Sequence, residues 1–299
     1  MHLYIIGANG QLGTALQKTC PEGGSFTAIS RAEWDLNGPC PAELHSHLTQ
    51  EVESDRPCVL INCAAHTDVE GAQDEENFRA AYRLNVLVPG LIGTLATSLG
   101  VPAIHISTDY VYPGSIPPAQ GAVGADLPEH SHPQVPAPIN MYGLTKYWGE
   151  QEFLAQGGTA IVRTSWLYSG PANPESKDIA NTFSRLYPRE ISVVSDQWGC
   201  PTNAFDLARG LWSYAEKVAA GTVAPGTIID AHNEGATTWL EFARHIYITL
   251  GGAPDLVKAV TTAEYGAKAP RPLYNVNPAT DLVLPPWQPS LERALHGKL

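Results

Sequence analysis

The sequence predicts an α/β fold: a Rossmann-type, doubly wound parallel sheet with a smaller, discontinuous C-terminal substrate domain. Three observations predict it. Short apolar runs rich in β-branched residues alternate with helical patterns through the first half of the chain, as a parallel sheet wrapped by helices requires. A glycine-rich turn, Gly7-Ala8-Asn9-Gly10-Gln11-Leu12-Gly13, follows the first run directly and opens the first helix. The chain has 299 residues, 43% of them hydrophobic, which is enough to fill a sizeable core.

The apolar runs fall at residues 3–6, 26–29, 59–61, 103–106 and 159–162, and each reads as a strand. Between them, one helix starts at Gln11, a second spans 42–52, a long one covers about 74–99, and another begins near Tyr142 and continues past Phe153. The stretch 113–138 is dense in Pro and Gly without periodicity, so it reads as a long loop over the surface or over a site. Beyond Arg163 the pattern loosens, with helices expected over 179–186, 204–219 and 239–250 and no clean linker between them.

Lysine plus arginine total 18 against 30 for aspartate plus glutamate, a net charge of −12. That sign disfavours a nucleic acid polymer as partner. The five cysteines, Cys20, Cys40, Cys58, Cys63 and Cys200, are scattered and form no C-x-x-C pair, which suggests neither a disulfide framework nor a zinc clasp. The N-terminus lacks a basic stretch, and no run of about 18 apolar residues follows. A cytoplasmic protein without a membrane partner is expected.

The glycine turn carries the first chemical signal. Missing Cβ atoms let the backbone approach a pyrophosphate, and the open N–H groups of the following helix favour an anion. Gly7, Gly10, Gln11, Leu12 and Gly13 are therefore candidate cofactor ligands. At the end of the second strand the carboxylate that would bind a ribose 2′-hydroxyl is replaced by Ser30 and Arg31. A 2′-phosphate suits that arginine, so NADPH is expected over NADH, which stays open. Residues 1–165 read as the dinucleotide-binding core, completed by about 195–232, and 166–299 as mostly a discontinuous substrate-binding region.

Tyr142 and Lys146 stand four residues apart, on one helical face. A nearby cation stabilises a phenolate, and such a pair can pass a proton to a carbonyl. Alone, Tyr-x-x-x-Lys more often describes a partly buried tyrosine beside a surface lysine. Ser107-Thr108-Asp109-Tyr110 supplies context: it ends the fourth strand, at the carboxyl edge where open α/β sheets bind ligands, and Thr108 can share a substrate oxygen with Tyr142. Asn62-Cys63-Ala64-Ala65-His66-Thr67 puts small residues at another strand end. Cys63 reads as packing rather than a nucleophile, and His66 as a hydrogen-bonding group beside the cofactor.

These motifs, in this order and spacing, resemble the extended short-chain dehydrogenase/reductases. The resemblance is nearly end to end with the dTDP-4-dehydrorhamnose reductase family through Ala64-Ala65-His66-Thr67, Ser107-Thr108-Asp109-Tyr110-Val111-Tyr112, Arg163-Thr164-Ser165-Trp166, Asp196-Gln197-Trp198-Gly199-Cys200-Pro201-Thr202, Thr237-Thr238-Trp239 and Arg271-Pro272. It implies Thr108, Tyr142 and Lys146 as the catalytic triad, with Asn85 supporting Lys146 through water. Asp35 and Leu36 would lie near adenine, Cys63, Ala64, Ala65, Thr67 and Ser107 along the cofactor, and Thr164 and Ser165 against the nicotinamide. Val69, Asp109, Tyr110 and Trp166 would line the sugar subsite. The activity implied is NADPH-dependent reduction of the C4 keto group of a dTDP-4-keto-6-deoxy sugar. Its alternatives are a reductase or epimerase for a different nucleotide sugar and a non-catalytic NADP-binding regulatory subunit. Dehydratases of this fold carry an acidic residue after Thr-Asp; Tyr110 stands there instead and favours reduction.

Departures from the family pattern border the expected sugar pocket. Val69-Glu70-Gly71-Ala72-Gln73 replaces Val-Asp-Lys-Ala-Glu, the loop around 171–178 is longer, and 115–125 looks inserted. The cation for the substrate diphosphate is left between Arg163 and Arg271. No metal is expected: Ala15 occupies the place of a glutamate that holds magnesium in some relatives, and the pairs His45/His47 and His130/His132 each supply only two ligands. A homodimer is left open.

Overall fold

The computed structural model of the protein describes residues 1–53, 56–114 and 135–298. Strands β1 (His2–Ile6), β2 (Ser25–Ile29), β3 (Cys58–Asn62), β4 (Ala103–Thr108) and β5 (Ala160–Thr164) join a later strand, Thr227–Asp230, in one six-stranded sheet. Its order is Thr227–Asp230, β5, β4, β3, β1, β2, and all its pairings are parallel. Every residue of β1, β3, β4 and β5 is buried. A parallel sheet covered on both faces has no solvent side to alternate towards, which is why these strands appear in the sequence as unbroken apolar runs.

Helices α1 (Gln11–Lys18), α2 (Ala42–Glu53), α3 (Glu75–Tyr82), α4 (Val88–Leu99), α5 (Met141–Ala155), α6 (Ile179–Leu186), α7 (Ala204–Ala219) and α8 (Trp239–Thr249) complete the frame. Successive strand residues point to opposite layers. Leu3, Ile5, Val59, Ile61, Ile104 and Val162 pack with Leu12 and Leu16 of α1 and Leu207 and Leu211 of α7. Tyr4, Ile6, Leu60 and Ile161 pack on the other face with Leu48 of α2, Ile92 of α4 and Phe153 of α5. A third core joins α6, α8, the C-terminal helix Trp287–Leu295 and the parallel pair Ile191–Val194 and Val257–Val260.

The single helix expected over 74–99 is instead α3, a π-helical turn at Arg83–Leu87 and α4. Pro89 has no N–H to return to the Asn85 carbonyl four residues back, and the ladder widens there. α5 exploits the opening: a Cβ on Gly149 would sit 1.8 Å from that carbonyl oxygen, so only glycine permits the contact. The sequence pattern did not reveal Thr227–Asp230 or the C-terminal helix as elements. The expected insertion 115–125 and the pair His130/His132 lie outside the described residues. No helix among the described residues is long and apolar enough to cross a membrane.

Strand order reverses direction between β1 and β3, and ligands of doubly wound sheets bind beyond the carboxyl ends at such a switch point. Here the ends of β1, β3 and β4 bring forward the Gly7 turn, the stretch 62–67 and the stretch 107–109.

Candidate active site

Gly7 adopts φ +81°, a conformation L side chains rarely accept, and a Cβ on it would lie 2.7 Å from the Ala64 nitrogen. The glycine turn and the end of β3 thus meet backbone to backbone. The first turn of α1 has no capping side chain and no acidic residue, which leaves its N–H groups open to an anion. A cleft of about 710 Å³ runs past this turn, lined by Gly7, Gly10, Ser30, Arg31, Asp35, Leu36, Cys63, Ala64, Ala65 and His66. Leu12 is buried in the core and the Gln11 amide lies 3.5 Å from Asp178 Oδ2, so these two, with the tightly packed Gly13, can offer only main-chain groups. Thr67 is exposed and does not line the cleft.

Arg31 projects into solvent from a turn in which Ser30 N–H donates to Glu33 Oε2 at 2.8 Å. Its Nε lies 3.9 Å from Asp35 Oδ1. Two further guanidinium groups, Arg79 and Arg83, reach the same wall from α3 and the π turn. Arg83 also donates to Leu36 O at 3.2 Å and to Asn37 Oδ1 at 3.1 Å, fixing the floor beside Asp35. Sequence reasoning missed this pair, although the i, i+4 spacing on one helical face was available to read. Burial pushes the Cys63 thiol up to about 12, against the opposing pull of Lys146, so it is inert packing.

The chemistry sits where α5 meets β4. Asn140 caps α5 by accepting from Gly143 N–H at 2.8 Å. Tyr142, one turn before Lys146, packs with Val69, Tyr110, Ala72 and Ala81 in a small apolar cluster, its ring 5.6 Å from that of Tyr110. Burial raises the phenol well above its ordinary range; a hydrogen bond with Thr108 opposes this, and Asp109 and Tyr110 add to it. Tyr142 is therefore a neutral phenol, the form that can give up a proton. The lowering expected from Lys146 is absent, because the Lys146 ammonium turns elsewhere. Its Nζ donates to Ile106 O at 2.7 Å and lies 3.4 Å from His105 Nε2. Burial lowers Lys146 to about 8, with Glu150 and Cys63 pulling the other way. Thr108 Oγ1 donates to Asp109 Oδ1 and accepts from Tyr110 N–H, both at 3.2 Å.

Several expected residues prove to be committed. Asn85, expected to hold water for Lys146, accepts from His66 N–H at 2.8 Å and donates to His66 O at 3.0 Å and Thr145 Oγ1 at 3.1 Å, so its amide is a clamp on the 62–67 stretch. Asp109 accepts from Asn275 Nδ2 at 2.9 Å, and burial raises it to about 7, with the Thr108 hydrogen bond the main opposing effect. Ser165 Oγ donates to the Cys200 carbonyl. Arg163 cannot serve a diphosphate: it is buried, paired through Nε and Nη2 with Glu150 at 2.9 and 2.6 Å, and donates to Tyr112 OH at 2.7 Å. Ser107 Oγ reaches the same carboxylate at 2.5 Å, and Tyr112 OH continues to Asp230 at 2.8 Å. This chain of bonds fastens α5 behind the end of β4.

Against these committed groups stand two open ones. His66 Nδ1 and Thr164 Oγ1 are buried without a hydrogen-bond partner. Buried polar atoms are seldom left so, and both lie on the segments expected along the cofactor. With the glycine cradle and uncapped helix, they fit a dinucleotide.

A second pocket of about 580 Å³ opens beside Tyr110, with Phe183, Gln197, Trp239 and Arg271 among its walls. Trp166 does not line it directly; it stacks on Trp239 with centroids 3.6 Å apart and planes 9° off parallel. Among the described residues no group of histidine, cysteine or acidic side chains could hold a metal ion.

Comparison with known proteins agrees with this geometry. Residues 1–298 match the family described as the RmlD substrate binding domain. A dTDP-4-dehydrorhamnose reductase of Mycobacterium tuberculosis is 34% identical over 275 residues, covering 91% of this chain and 83% of the relative. One from Escherichia coli is 31% identical over 312 residues, covering 99% and 97%. The crystal structure of a dTDP-4-dehydrorhamnose reductase from Bacillus anthracis in complex with NADP superposes with a TM-score of 0.80 at 31% identity, covering 99% of this chain and 98% of that one. The chain belongs to the dTDP-4-dehydrorhamnose reductase family.

Proposed function

We infer that the chain reduces the C4 keto group of dTDP-4-dehydrorhamnose with NADPH, giving dTDP-L-rhamnose. The observation that carries this reading, given the family, is a buried Tyr142 phenol hydrogen-bonded to Thr108 at the carboxyl end of β4. Reduction of a ketone needs a proton at the oxygen as negative charge develops there, and a neutral phenol supplies it. Bound NADPH supplies the two electrons, as hydride to C4. Thr108 orients the same oxygen, and Lys146, one turn along α5, is assigned to the cofactor ribose.

For the cofactor we assign the main chain of Gly7, Gly10, Gln11, Leu12 and Gly13 to the pyrophosphate, Ser30 and Arg31 to the 2′-phosphate, and Asp35 and Leu36 to the adenine side. Cys63, Ala64, Ala65 and the main chain of Ser107 then follow the rest of the cofactor, whereas Thr67, exposed and off the cleft wall, is left out. Val69, Tyr110 and Trp166 shape the sugar subsite, with Asp109 acting behind Thr108. In domain terms, 1–165 with about 195–232 hold the dinucleotide and the remainder of 166–299 holds the nucleotide sugar. Five free cysteines suit a reducing cytoplasm.

The test is an absorbance assay at the nicotinamide band with purified protein, NADPH, dTDP-4-dehydro-6-deoxyglucose and a 3,5-epimerase. Loss of absorbance only when the epimerase is present is expected. Loss without it would point to a different sugar, and none despite tight NADPH binding to a regulatory subunit.

A further inference from the structure

Arg271 is the one charged side chain on the walls of the 580 Å³ pocket among the described residues. It is already paired. Glu70 Oε1 meets Arg271 Nη2, and Glu70 Oε2 accepts from the N–H groups of Lys268 and Ala269 at 2.9 and 3.1 Å. Lys268 Nζ pairs with Asp74, one helical turn further on. The segment 268–271 is thus a strap gripped by two carboxylates of the sheet domain. Its other end touches the chemistry: Pro270 O accepts from Asn140 Nδ2 at 2.9 Å, and Asn140 caps the helix that carries Tyr142. Arg271 Nη1 also lies 3.4 Å from Tyr110 OH, and the Tyr110 ring packs against Tyr142.

A diphosphate brings two or more negative charges to a protein of net charge −12. It would meet a guanidinium whose charge Glu70 already neutralises, in a pair only partly exposed at 18% and 42% of the two side chains. We propose that Glu70 is a resident competitor for the substrate: the diphosphate of the sugar nucleotide takes Arg271 from it, and the 268–271 strap carries the exchange to Asn140 and the start of α5. Glu70 lies in the Val69–Gln73 stretch, where the family pattern carries the shorter Asp; the departures beside it are Gly71 and Gln73. The proposal rests on the reading that the substrate is a nucleoside diphosphate sugar.

Calorimetric titration of the full chain with thymidine diphosphate tests it, using thymidine as the uncharged control. Glu70→Gln removes the charge but keeps an oxygen for the Lys268 and Ala269 amides. It is expected to tighten thymidine diphosphate about five-fold, leave thymidine unchanged, and lower KM for the sugar nucleotide without raising kcat. Arg271→Gln should weaken thymidine diphosphate, and Glu70→Gln should add nothing in that background. If Glu70 only holds the strap in shape, Glu70→Gln weakens binding or leaves it unchanged, and the proposal is overturned while the substrate reading stands. If thymidine diphosphate binds no more tightly than thymidine to the unaltered protein, both fall.

Discussion

The cleft beside β1 and the pocket beside Tyr110 are built by different means. The cleft takes its walls from a few short contiguous stretches, 6–10, 29–37, 63–66 and 79–84, each fixed by one strand end or one helix face. The pocket draws on Tyr110, on α6, on the strand Ile191–Val194, on the head of α8 and on residues up to Arg271, none of them near neighbours in sequence except within its own element. A dinucleotide site can therefore be specified by local backbone geometry. The second pocket depends on the packing of the C-terminal third, which leaves it freer to vary.

Tyr142 lines neither of them but packs against Tyr110 on the pocket wall, so its loss should separate chemistry from both binding sites. Tyr142→Phe is expected to lower kcat by about 10²–10⁴-fold while the Kd values for NADPH and for thymidine diphosphate change little, as single-turnover kinetics and calorimetry would show. If both affinities fell with kcat, the phenol would be a packing element shared by the two sites. Next in size is the frame behind them. Arg163→Met leaves Glu150 buried and unpaired, and urea denaturation should show a loss of about 3–5 kcal/mol. A loss under about 1 kcal/mol would mean that the buried network does not fasten α5.

The next pair divides the two regions directly. Arg31→Ala should weaken NADPH about tenfold and leave NADH and thymidine diphosphate unaffected. Trp239→Ala, which removes the partner of Trp166, should raise KM for the sugar nucleotide several-fold and leave both cofactors unaffected. Crossed effects would erase the distinction between cleft and pocket.

What could be read in advance follows the same division. Gly7, Ala64, Thr108 and Tyr142 announce themselves because each belongs to a short motif whose chemistry is local. β1, β3, β4 and β5 were legible for the same reason, since burial on both faces leaves a continuous apolar run; β2, at the sheet edge, is only partly buried. Arg163 and Asn85 were misjudged because a side chain's partner is decided by tertiary packing: Glu150 and the His66 backbone claim them. His105, 3.0 Å from Asn62 Nδ2 and 3.4 Å from Lys146, carried no signal at all, being one residue inside a strand. Thr227–Asp230 was hidden because an edge strand of four residues in a glycine- and proline-rich stretch shows no period.

The smallest expected effect concerns a buried histidine that lines neither region. His232 Nδ1 lies 2.9 Å from Asn233 O and Nε2 2.7 Å from Asn277 O, so both ring nitrogens face acceptors and both must carry protons. Burial alone would lower this histidine, but Cys200 and the two carbonyls outweigh it and carry it up to about 10. A folded value above the unfolded one of about 6.5 stabilises fully below that pH and is lost as pH climbs through about 10. Between pH 7 and 10 the Tm of the unaltered protein should fall a few degrees further than that of His232→Gln; equal slopes would show the ring to be neutral.

The most direct measurement is a crystal structure with NADP and dTDP-L-rhamnose bound together. The account predicts Tyr142 Oη within hydrogen-bonding distance of the sugar O4, roughly 2.6–3.2 Å, with Thr108 on the same oxygen. A Tyr142 hydroxyl directed away from O4, with another acidic group in its place, would contradict it.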